Sequence, residues 1–157
     1  MKSVVRAYVF NPEGQILMTR HKKDTPWVLP GGHVEDRETL HDAMIRELQE
    51  EFSISARFFE MDHEEILHHQ WKKLTHHPLP VSIYDLSYTD SEWRDKSRRE
   101  YVFLMESDDT IKKIQNEEIY EYRWFDPDEI LTMKPNTETW DFIIEMLGKI
   151  LWDGEEE

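Results

Sequence analysis

Cysteine is absent from this sequence of 157 residues. Its absence excludes disulfide bonds, a thiolate nucleophile and a zinc–thiolate site, so any metal ion would be held by carboxylates, carbonyls or imidazoles. No run of about 18 apolar residues occurs either, which argues against a membrane-spanning helix. The chain becomes polar again directly after Val5, too soon for a signal peptide. We therefore expect a cytoplasmic protein.

Positive charge is scarce, since 19 Lys and Arg residues stand against 34 Asp and Glu residues and the formal net charge is −15. This excess argues against a general nucleic-acid binder and against an anionic membrane surface as a partner. A small anionic substrate would also be repelled unless cations lay between it and the protein. Hydrophobic residues make up 38% of the chain, enough for a folded core. We predict a single domain over residues 1–152 and an acidic tail over 153–157.

The pattern of apolar residues predicts both strands and helices. Strands are predicted at 3–10, 15–19, 54–61, 80–88, 101–106 and 119–125, with a charged connection between residues 88 and 101. Helices are predicted at 40–52, behind Thr39 as the N-cap, and at 136–152. The two kinds of element do not alternate regularly along the chain. This order favours an α/β fold in which a mixed sheet carries helices on its faces.

Three acids of the first predicted helix, Glu47, Glu50 and Glu51, lie three and four residues apart and so share one face. On a helical wheel this face overlaps the apolar stripe that contains Met44 and Leu48. One interpretation is a solvated run of charge, as most Glu-rich helix faces are. However, three like charges against a core are costly unless a cation neutralises them. Several carboxylates suit a hard divalent ion, so the arrangement indicates a site for Mg²⁺ or Mn²⁺.

The spacing around these acids resembles the signature of the Nudix hydrolase family, G-x5-E-x7-R-E-U-x-E-E-x-G-U, where U is a bulky aliphatic residue. Eight of the nine specified positions match over 23 residues, namely Gly32, Glu38, Arg46, Glu47, Leu48, Glu50, Glu51 and Ile54. Ser53 stands where the family has Gly, and we expect it to adopt a left-handed conformation at a cost of about 1 kcal/mol. The segments 27–32 and 123–125 are also similar to family elements.

The resemblance implies an α/β/α sandwich, with a mixed sheet between the helix that carries the signature and the C-terminal helix. It also implies divalent-metal-dependent hydrolysis of a pyrophosphate bond in a nucleoside diphosphate linked to another moiety. The metal-binding and catalytic acids would be Glu47, Glu50 and Glu51, with the carbonyl oxygen of Gly31 as a further ligand. A structural salt bridge would join Glu38 and Arg46.

The general base implied by the resemblance is either Glu47 or an acid of a later loop. Three acids, Glu117, Glu118 and Glu121, precede Trp124 where the family often places such a residue. We choose Glu118 among them. The alternative is that all three are exposed acids at a strand edge. The resemblance also makes a homodimer plausible.

The residues that would bind substrate are indicated less specifically. One basic cluster lies between two predicted strands and could meet a phosphate tail or a nucleotide, and it comprises Arg94, Lys96, Arg98 and Arg99. A solvated loop is the alternative, and the one that we favour. Aromatic residues that could stack on a base, or lie in the core, are Trp27, Trp71, Trp93 and Tyr84. We interpret the histidines at 63, 68, 69, 76 and 77 as loop residues.

Two other functions are weighed against the hydrolase. The chain could be a nucleotide-sensing module that keeps the fold without catalysis, although such modules tend to lose the acids that are intact here. It could also be a structural acidic domain, which the preserved spacing of the signature disfavours. The identity of the nucleotide substrate is open at this stage.

Overall fold

The core of the molecule is a β-sheet. The computed structural model describes residues 1–59, 77–112, 114 and 117–152, and within them the sheet has seven strands. The strands are β1 (Lys2–Phe10), β2 (Ile16–Arg20), β3 (Gly31–His33), β4 (Arg57–Phe58), β5 (Ser82–Thr89), β6 (Asp95–Glu106) and β7 (Glu121–Phe125). The helices are α1 (Leu40–Phe52), α2 (Pro127–Leu131) and α3 (Asp141–Leu151).

Strand β1 lies at the centre of the sheet and gives the sheet its mixed character. It runs parallel to β6 along its whole length and antiparallel to β2 and β3. β7 extends the sheet beyond β2, while β4 and β5 both pair antiparallel with β6. The predicted mixed sheet is confirmed.

Helices cover both faces of the sheet. On one face, α1 packs Met44 into a core that includes Val5 of β1. On the other face, Leu147 of α3 lies in a second core with Tyr8, whose hydroxyl donates a hydrogen bond to the carbonyl oxygen of Ile143 at 2.7 Å. The expected α/β/α sandwich is therefore confirmed. Among the residues that the structure describes, no helix is long and apolar enough to cross a membrane.

Helix α1 begins and ends where the sequence predicts. The Thr39 hydroxyl accepts a hydrogen bond from the N–H of Asp42 at 3.1 Å, which caps the first turn. At the other end Ser53 has φ 55° and ψ 37°, the left-handed conformation expected of it. Its N–H donates to the carbonyl oxygen of Gln49 at 3.0 Å. The chain thus leaves the helix as a glycine would, at the cost of a strained serine.

The last helix is shorter than the predicted helix at 136–152, because the residues before it form hydrogen bonds with a distant segment of the chain. Asn136 has φ 65° and does not begin a helix. The N–H of Trp27 donates to the carbonyl oxygen of Glu138 at 2.7 Å, and the Thr139 hydroxyl donates to the carbonyl oxygen of Trp27 at 2.7 Å. Only at Asp141 does α3 begin, with the Asn136 side chain accepting its N–H at 3.0 Å. Backbone pairing with a distant segment outweighs the apolar periodicity here.

The predicted charged connection between residues 88 and 101 is wrong, because much of it is the first half of β6. Strands β5 and β6 form an antiparallel hairpin in which Thr89 lies opposite Asp95. The Asp90 carboxylate accepts hydrogen bonds from two backbone N–H groups of the turn. Charged residues are tolerated in the hairpin because opposite charges face each other, as Asp85 and Arg99 do.

The predicted strand at 54–61 is also too long. β4 comprises only Arg57–Phe58, which pair with Glu106 and Met105 of β6. Residues 60–76 lie outside the described residues, and with them Trp71 and the histidines at 63, 68, 69 and 76. The acidic tail at 153–157 lies outside them too. The remaining histidine of that group, His77, has its ring centroid 5.3 Å from that of His41.

Candidate active site

Two acids of α1, Glu47 and Glu51, face strand β3 rather than solvent. Glu51 is 3% exposed, and burial, followed by the charge of Glu47 and a hydrogen bond with it, raises the pKa of Glu51 well above its usual range. Arg6 and the backbone of Gly31 act in the opposite direction. The Glu51 Oε1 atom makes no hydrogen bond within the described part of the chain. A buried carboxylate with a free oxygen beside a second carboxylate suits a cation.

The two glycines of β3 let this strand lie close to β1 and to Glu47. Gly31 has φ 147°, and a Cβ atom there would lie 1.9 Å from the carbonyl oxygen of Val5. A Cβ atom on Gly32 would lie 2.5 Å from Glu47 Oε1. β3 therefore approaches β1 and α1 as closely as only glycine permits. The Gly31 backbone lies beside Glu51, the acid with which it is predicted to share an ion.

Arg46 fastens the loop before α1 to the helix. Its Nε and Nη2 atoms donate to the two oxygens of Glu38 at 2.7 and 3.0 Å, a two-pronged contact. Nη2 also donates to the carbonyl oxygen of His33 at 3.0 Å, and Nη1 donates to Glu47 Oε1 at 3.0 Å. The guanidinium hydrogen bond lowers the pKa of Glu38. The loop and the acid face are therefore held by one side chain.

Glu50 does not join the pair formed by Glu47 and Glu51. Its side chain is 55% exposed, and its Oε2 atom accepts a hydrogen bond from Arg46 Nη1 at 3.1 Å. Within the described residues, no three Asp, Glu or His side chains are grouped so that they could hold one metal ion. The structure thus brings two of the three predicted acids together with Gly31, and the third is engaged by arginine.

Glu118 lies in the turn before β7. The His21 Nδ1 atom is 2.7 Å from the Glu118 carbonyl oxygen, which attaches this turn to the end of β2. The neighbouring Arg20 forms an ion pair with Glu121 and places its guanidinium carbon 4.2 Å from the centre of the Trp27 ring. The turn is therefore fixed to the sheet from two sides. The role of Glu118 as general base stays a prediction.

A cavity of about 390 Å³ opens on the face of the sheet that carries α3. It lies between α3 and the β5–β6 hairpin. Much of its wall is aromatic or aliphatic, including Leu29, Leu86, Tyr88, Trp140 and Phe142. This volume is in the range of pockets that bind small molecules. Because Leu29 precedes Gly31 by two residues, the cavity adjoins the strand that faces the two acids.

Four polar side chains converge in this cavity: Arg6, Tyr84, Arg98 and Glu100. Glu100 is 2% exposed, and its Oε1 atom accepts a hydrogen bond from the Tyr84 hydroxyl at 2.5 Å. Burial, and then this bond, raises the pKa of Tyr84. Arg98 Nε lies 2.7 Å from Glu100 Oε2, but its N–H is not directed at that oxygen, and neither atom makes a hydrogen bond within the described residues. Arg6 Nε lies 3.9 Å from Oε1.

The predicted basic cluster is not one surface, and it is not a loop. Arg98 and Arg99 are neighbours on β6, so their side chains leave opposite faces of the sheet. Arg98 lines the cavity, while Arg99 pairs with Asp85 at 2.7 Å. Arg94 lies in the hairpin turn, 61% exposed, where it pairs with Asp90. Only Arg98 among the three predicted substrate arginines lines the cavity.

The predicted stacking residues also separate. Tyr84 lines the cavity, Trp27 is buried in the core, and Trp93 is 88% exposed at the hairpin turn. Arg6 and Glu100 also line the cavity, but they are not among the residues predicted from the sequence to bind substrate. The available signal was alternation, because both are charged residues at strand positions that share a face with buried apolar neighbours.

Comparison with known proteins gives the following similarities. The family model of the NUDIX domain matches residues 2–145. A segment of 46 residues is 41% identical to RNA pyrophosphohydrolase from Pseudomonas aeruginosa, but it spans only 29% of this chain and 29% of that protein. RNA pyrophosphohydrolase from Novosphingobium aromaticivorans is 24% identical over 132 residues, 80% of this chain and 78% of that protein.

The fold is also found among solved structures. A NUDIX-family hydrolase from Clostridium perfringens superposes with a TM-score of 0.70 at 16% sequence identity. The superposition covers 96% of this chain and 98% of the other. At this level of identity the likeness concerns the architecture, namely a mixed sheet between helices.

Proposed function

This chain belongs to the NUDIX domain family, and on that premise we propose that it is a divalent-metal-dependent hydrolase of nucleotide pyrophosphate bonds. The observation that carries the proposal is the pair of carboxylates, Glu47 and Glu51, beside Gly31, with one buried oxygen that lacks a hydrogen bond within the described residues. The curated relatives are RNA pyrophosphohydrolases, which supports a substrate that contains a nucleotide and a phosphoanhydride.

The residues at this point fit a hard divalent cation, Mg²⁺ or Mn²⁺. Such ions take oxygen ligands, and Glu51, Glu47 and the Gly31 carbonyl group are all oxygen donors. Glu50 would add a third carboxylate after leaving Arg46, to which it is bonded at 3.1 Å. A bound ion of this kind screens phosphate oxygens and lowers the pKa of a coordinated water.

The protein residues around the acids would position the reactants and move the proton. Arg46 holds Glu38 and the backbone of His33, so the loop stays in place while substrate binds. We assign the role of general base to Glu118, which would accept the proton of the attacking water, with Glu47 as the alternative. The turn that carries Glu118 is fixed by His21.

The nucleoside part of the substrate would occupy the cavity. Its walls are aromatic and aliphatic with a few convergent polar groups, as in many small-molecule sites. Arg6 lies opposite Gly31 in the β1–β3 register and donates to the carbonyl oxygen of Leu29 at 3.2 Å. The cavity and the two acids therefore meet at this point of β1, where a phosphate chain could pass from one to the other.

An activity screen tests the proposed function. The purified protein would be incubated with Mg²⁺ or Mn²⁺ and a panel of nucleoside triphosphates, dinucleotides, ADP-ribose and triphosphorylated RNA. We expect release of phosphate or pyrophosphate from at least one of them. No release across the panel would overturn the proposal, and tight metal-independent binding without turnover would indicate a nucleotide-sensing module. The cytoplasmic location and the homodimer stay predictions.

A further inference from the structure

We infer that the cavity selects a base with a 2-amino-4-oxopyrimidine edge, as found in guanine and in pterins, through Glu100 and Arg98. The inference deepens the proposed function and rests on it, because it names the substrate class of the same site. It is carried by the buried Glu100 carboxylate and the partly buried Arg98 guanidinium of the cavity, each of which has one buried atom without a hydrogen bond within the described part of the chain.

The Glu100 carboxylate has hydrogen-bonding capacity to spare. Each carboxylate oxygen can accept about two hydrogen bonds. The Tyr84 hydroxyl fills one position on Oε1, and Arg6 Nε, at 3.9 Å, is beyond hydrogen-bond distance. Oε2 makes no hydrogen bond within the described residues. A ligand that presents two adjacent N–H groups would fill this acceptor.

Arg98 supplies the complementary donor. Its Nε atom lies 2.7 Å from Glu100 Oε2 without donating to it, so a donor and an acceptor lie side by side in the cavity. The two atoms form an ion pair but no hydrogen bond, so each keeps a hydrogen-bonding position for a ligand. A base whose carbonyl oxygen is next to its ring N–H would satisfy both groups at once.

Guanine and pterins present this arrangement, a carbonyl oxygen followed by a ring N–H and an exocyclic amino group. Adenine presents one N–H donor beside a ring acceptor and leaves part of the carboxylate unfilled. Hypoxanthine has the carbonyl oxygen and the ring N–H but lacks the amino group. Charge-assisted bonds from two N–H groups to a buried carboxylate are stronger than neutral ones. The donor set therefore favours the guanine-type edge over both alternatives.

The walls of the cavity fit a flat bicyclic base. Tyr88, Trp140 and Phe142 contribute aromatic surface, and the volume of about 390 Å³ accommodates a purine or a pterin. Arg98 places its guanidinium carbon 5.2 Å from the centre of the Tyr88 ring, which holds the donor at the cavity wall. The carboxylate and the guanidinium are thus fixed before a ligand enters.

Calorimetric binding of monophosphates to the full chain in the presence of Mg²⁺ tests the inference without requiring turnover. We expect GMP to bind about 10- to 100-fold more tightly than IMP, which lacks only the amino group, and more tightly than AMP. Methylation of guanine N1 should cause a similar loss. Neopterin monophosphate distinguishes guanine from pterin as the source of this edge. Whichever of neopterin monophosphate and GMP binds with the higher affinity identifies the ring. Equal affinity for GMP, IMP and AMP would overturn the inference.

A matched pair of variants assigns the preference to Glu100. Glu100→Gln keeps the side-chain shape but removes the charge, and it should bring the GMP-to-IMP affinity ratio close to one. Asp85→Asn makes the same chemical change on the adjacent strand outside the cavity and should keep the ratio. An unchanged ratio in Glu100→Gln contradicts the assignment. If that variant does not fold, the ligand series with the unmodified chain still decides the question.

The binding and activity experiments fail independently. Hydrolysis of all triphosphates at similar rates, with no GMP preference, would remove the inference and leave the proposed function. A GMP preference that depends on Glu100, in a protein that hydrolyses nothing, would remove the proposed function and leave the guanine-type site.

Discussion

The molecule has two polar regions that meet at β1 and are built in different ways. The acid site comes from one short stretch of chain, in which Glu38, Arg46, Glu47 and Glu51 lie on α1 or in the loop before it. The cavity is assembled from three strands and a helix that are distant in sequence. Its buried carboxylate, Glu100 of β6, lies 3.9 Å from Arg6 of β1, and the two meet only because the strands pair in register.

This difference separates the chemistry from the selectivity. In the proposed function, local contacts hold the acids that would bind the metal ion, so this part does not depend on the pairing of distant strands. The cavity depends on long-range pairing, so in the proposed function one substitution on a strand would change which substrate is bound. Changes at the acids should therefore affect all substrates alike, and changes in the cavity should alter their ranking.

The largest effect is expected at the acid site. Glu51→Gln should lower kcat about 1,000-fold or more, because glutamine lacks the negative charge and one of the two oxygens that would bind the cation, while folding is kept. Steady-state hydrolysis with Mg²⁺ and a thermal melt measure the two properties. Glu145→Gln, an exposed acid on α3, is the control and should retain full activity. Near-normal turnover in Glu51→Gln would show that the metal assignment is wrong.

Gly31→Ala should destabilise the protein by about 3 kcal/mol or more, because the added Cβ atom would overlap the Val5 carbonyl oxygen and φ is unfavourable. Gly14→Ala isolates the backbone cost, since Gly14 has φ 75° and open space around it. That variant should lose only about 1 kcal/mol. Urea unfolding of both variants gives the difference, and equal losses would contradict close packing at Gly31.

Arg46→Lys should cost about 1–2 kcal/mol, because lysine cannot make the two-pronged contact with Glu38 while also reaching the His33 carbonyl oxygen. We expect kcat/KM to fall for every substrate alike. Arg57→Lys changes a similar fork between two exposed acids and should have little effect on stability or activity. A loss confined to one substrate would place Arg46 in recognition instead.

The stability of the metal-free protein should depend on pH through Glu51. Its pKa is raised in the folded state, so the folded protein binds this proton more tightly than the unfolded chain does. The free energy of unfolding should therefore fall as the pH rises above about 4.5. Urea titrations in the presence of a chelator at several pH values would show this decrease. Glu51→Gln should not show the part of the decrease that Glu51 causes. Parallel curves for the two proteins would refute the assignment.

The smallest effect is expected at the end of α1. Ser53→Gly should stabilise the protein by less than about 1 kcal/mol, because Ser53 has φ 55° and glycine adopts this conformation without strain. Activity should not change, since Ser53 does not contact the acids. A thermal melt measures the shift, and a loss of stability would show that the serine side chain makes a favourable contact.

The acid site could be predicted from the sequence because its signal is local. Helical spacing places Glu47 and Glu51 on one side, and Thr39 begins the helix. The same spacing grouped Glu50 with them, but its exposed side chain is bonded to Arg46. The cavity could not be predicted in this way, since the partners of Arg98 and Glu100 depend on the register of β6. The sequence predicts that β6 begins at residue 101, but the strand begins at Asp95. The charged residues of its first half are stabilised by the opposite strand β5, which the local sequence does not show. The prediction that α3 begins at residue 136 is wrong for the same reason, because the Glu138 carbonyl oxygen accepts a hydrogen bond from the N–H of Trp27.

Within the part of the chain that the structure describes, eight of the nine arginines form ion pairs with carboxylates. Ion pairing does not change the formal net charge of −15. A polyphosphate that approaches from solution therefore meets a repulsive long-range field. Added salt shortens the reach of that field, to about 10 Å at 0.1 M. The association rate constant should therefore rise with ionic strength, the reverse of enzymes that attract anions electrostatically, and stopped-flow mixing at several salt concentrations would show it.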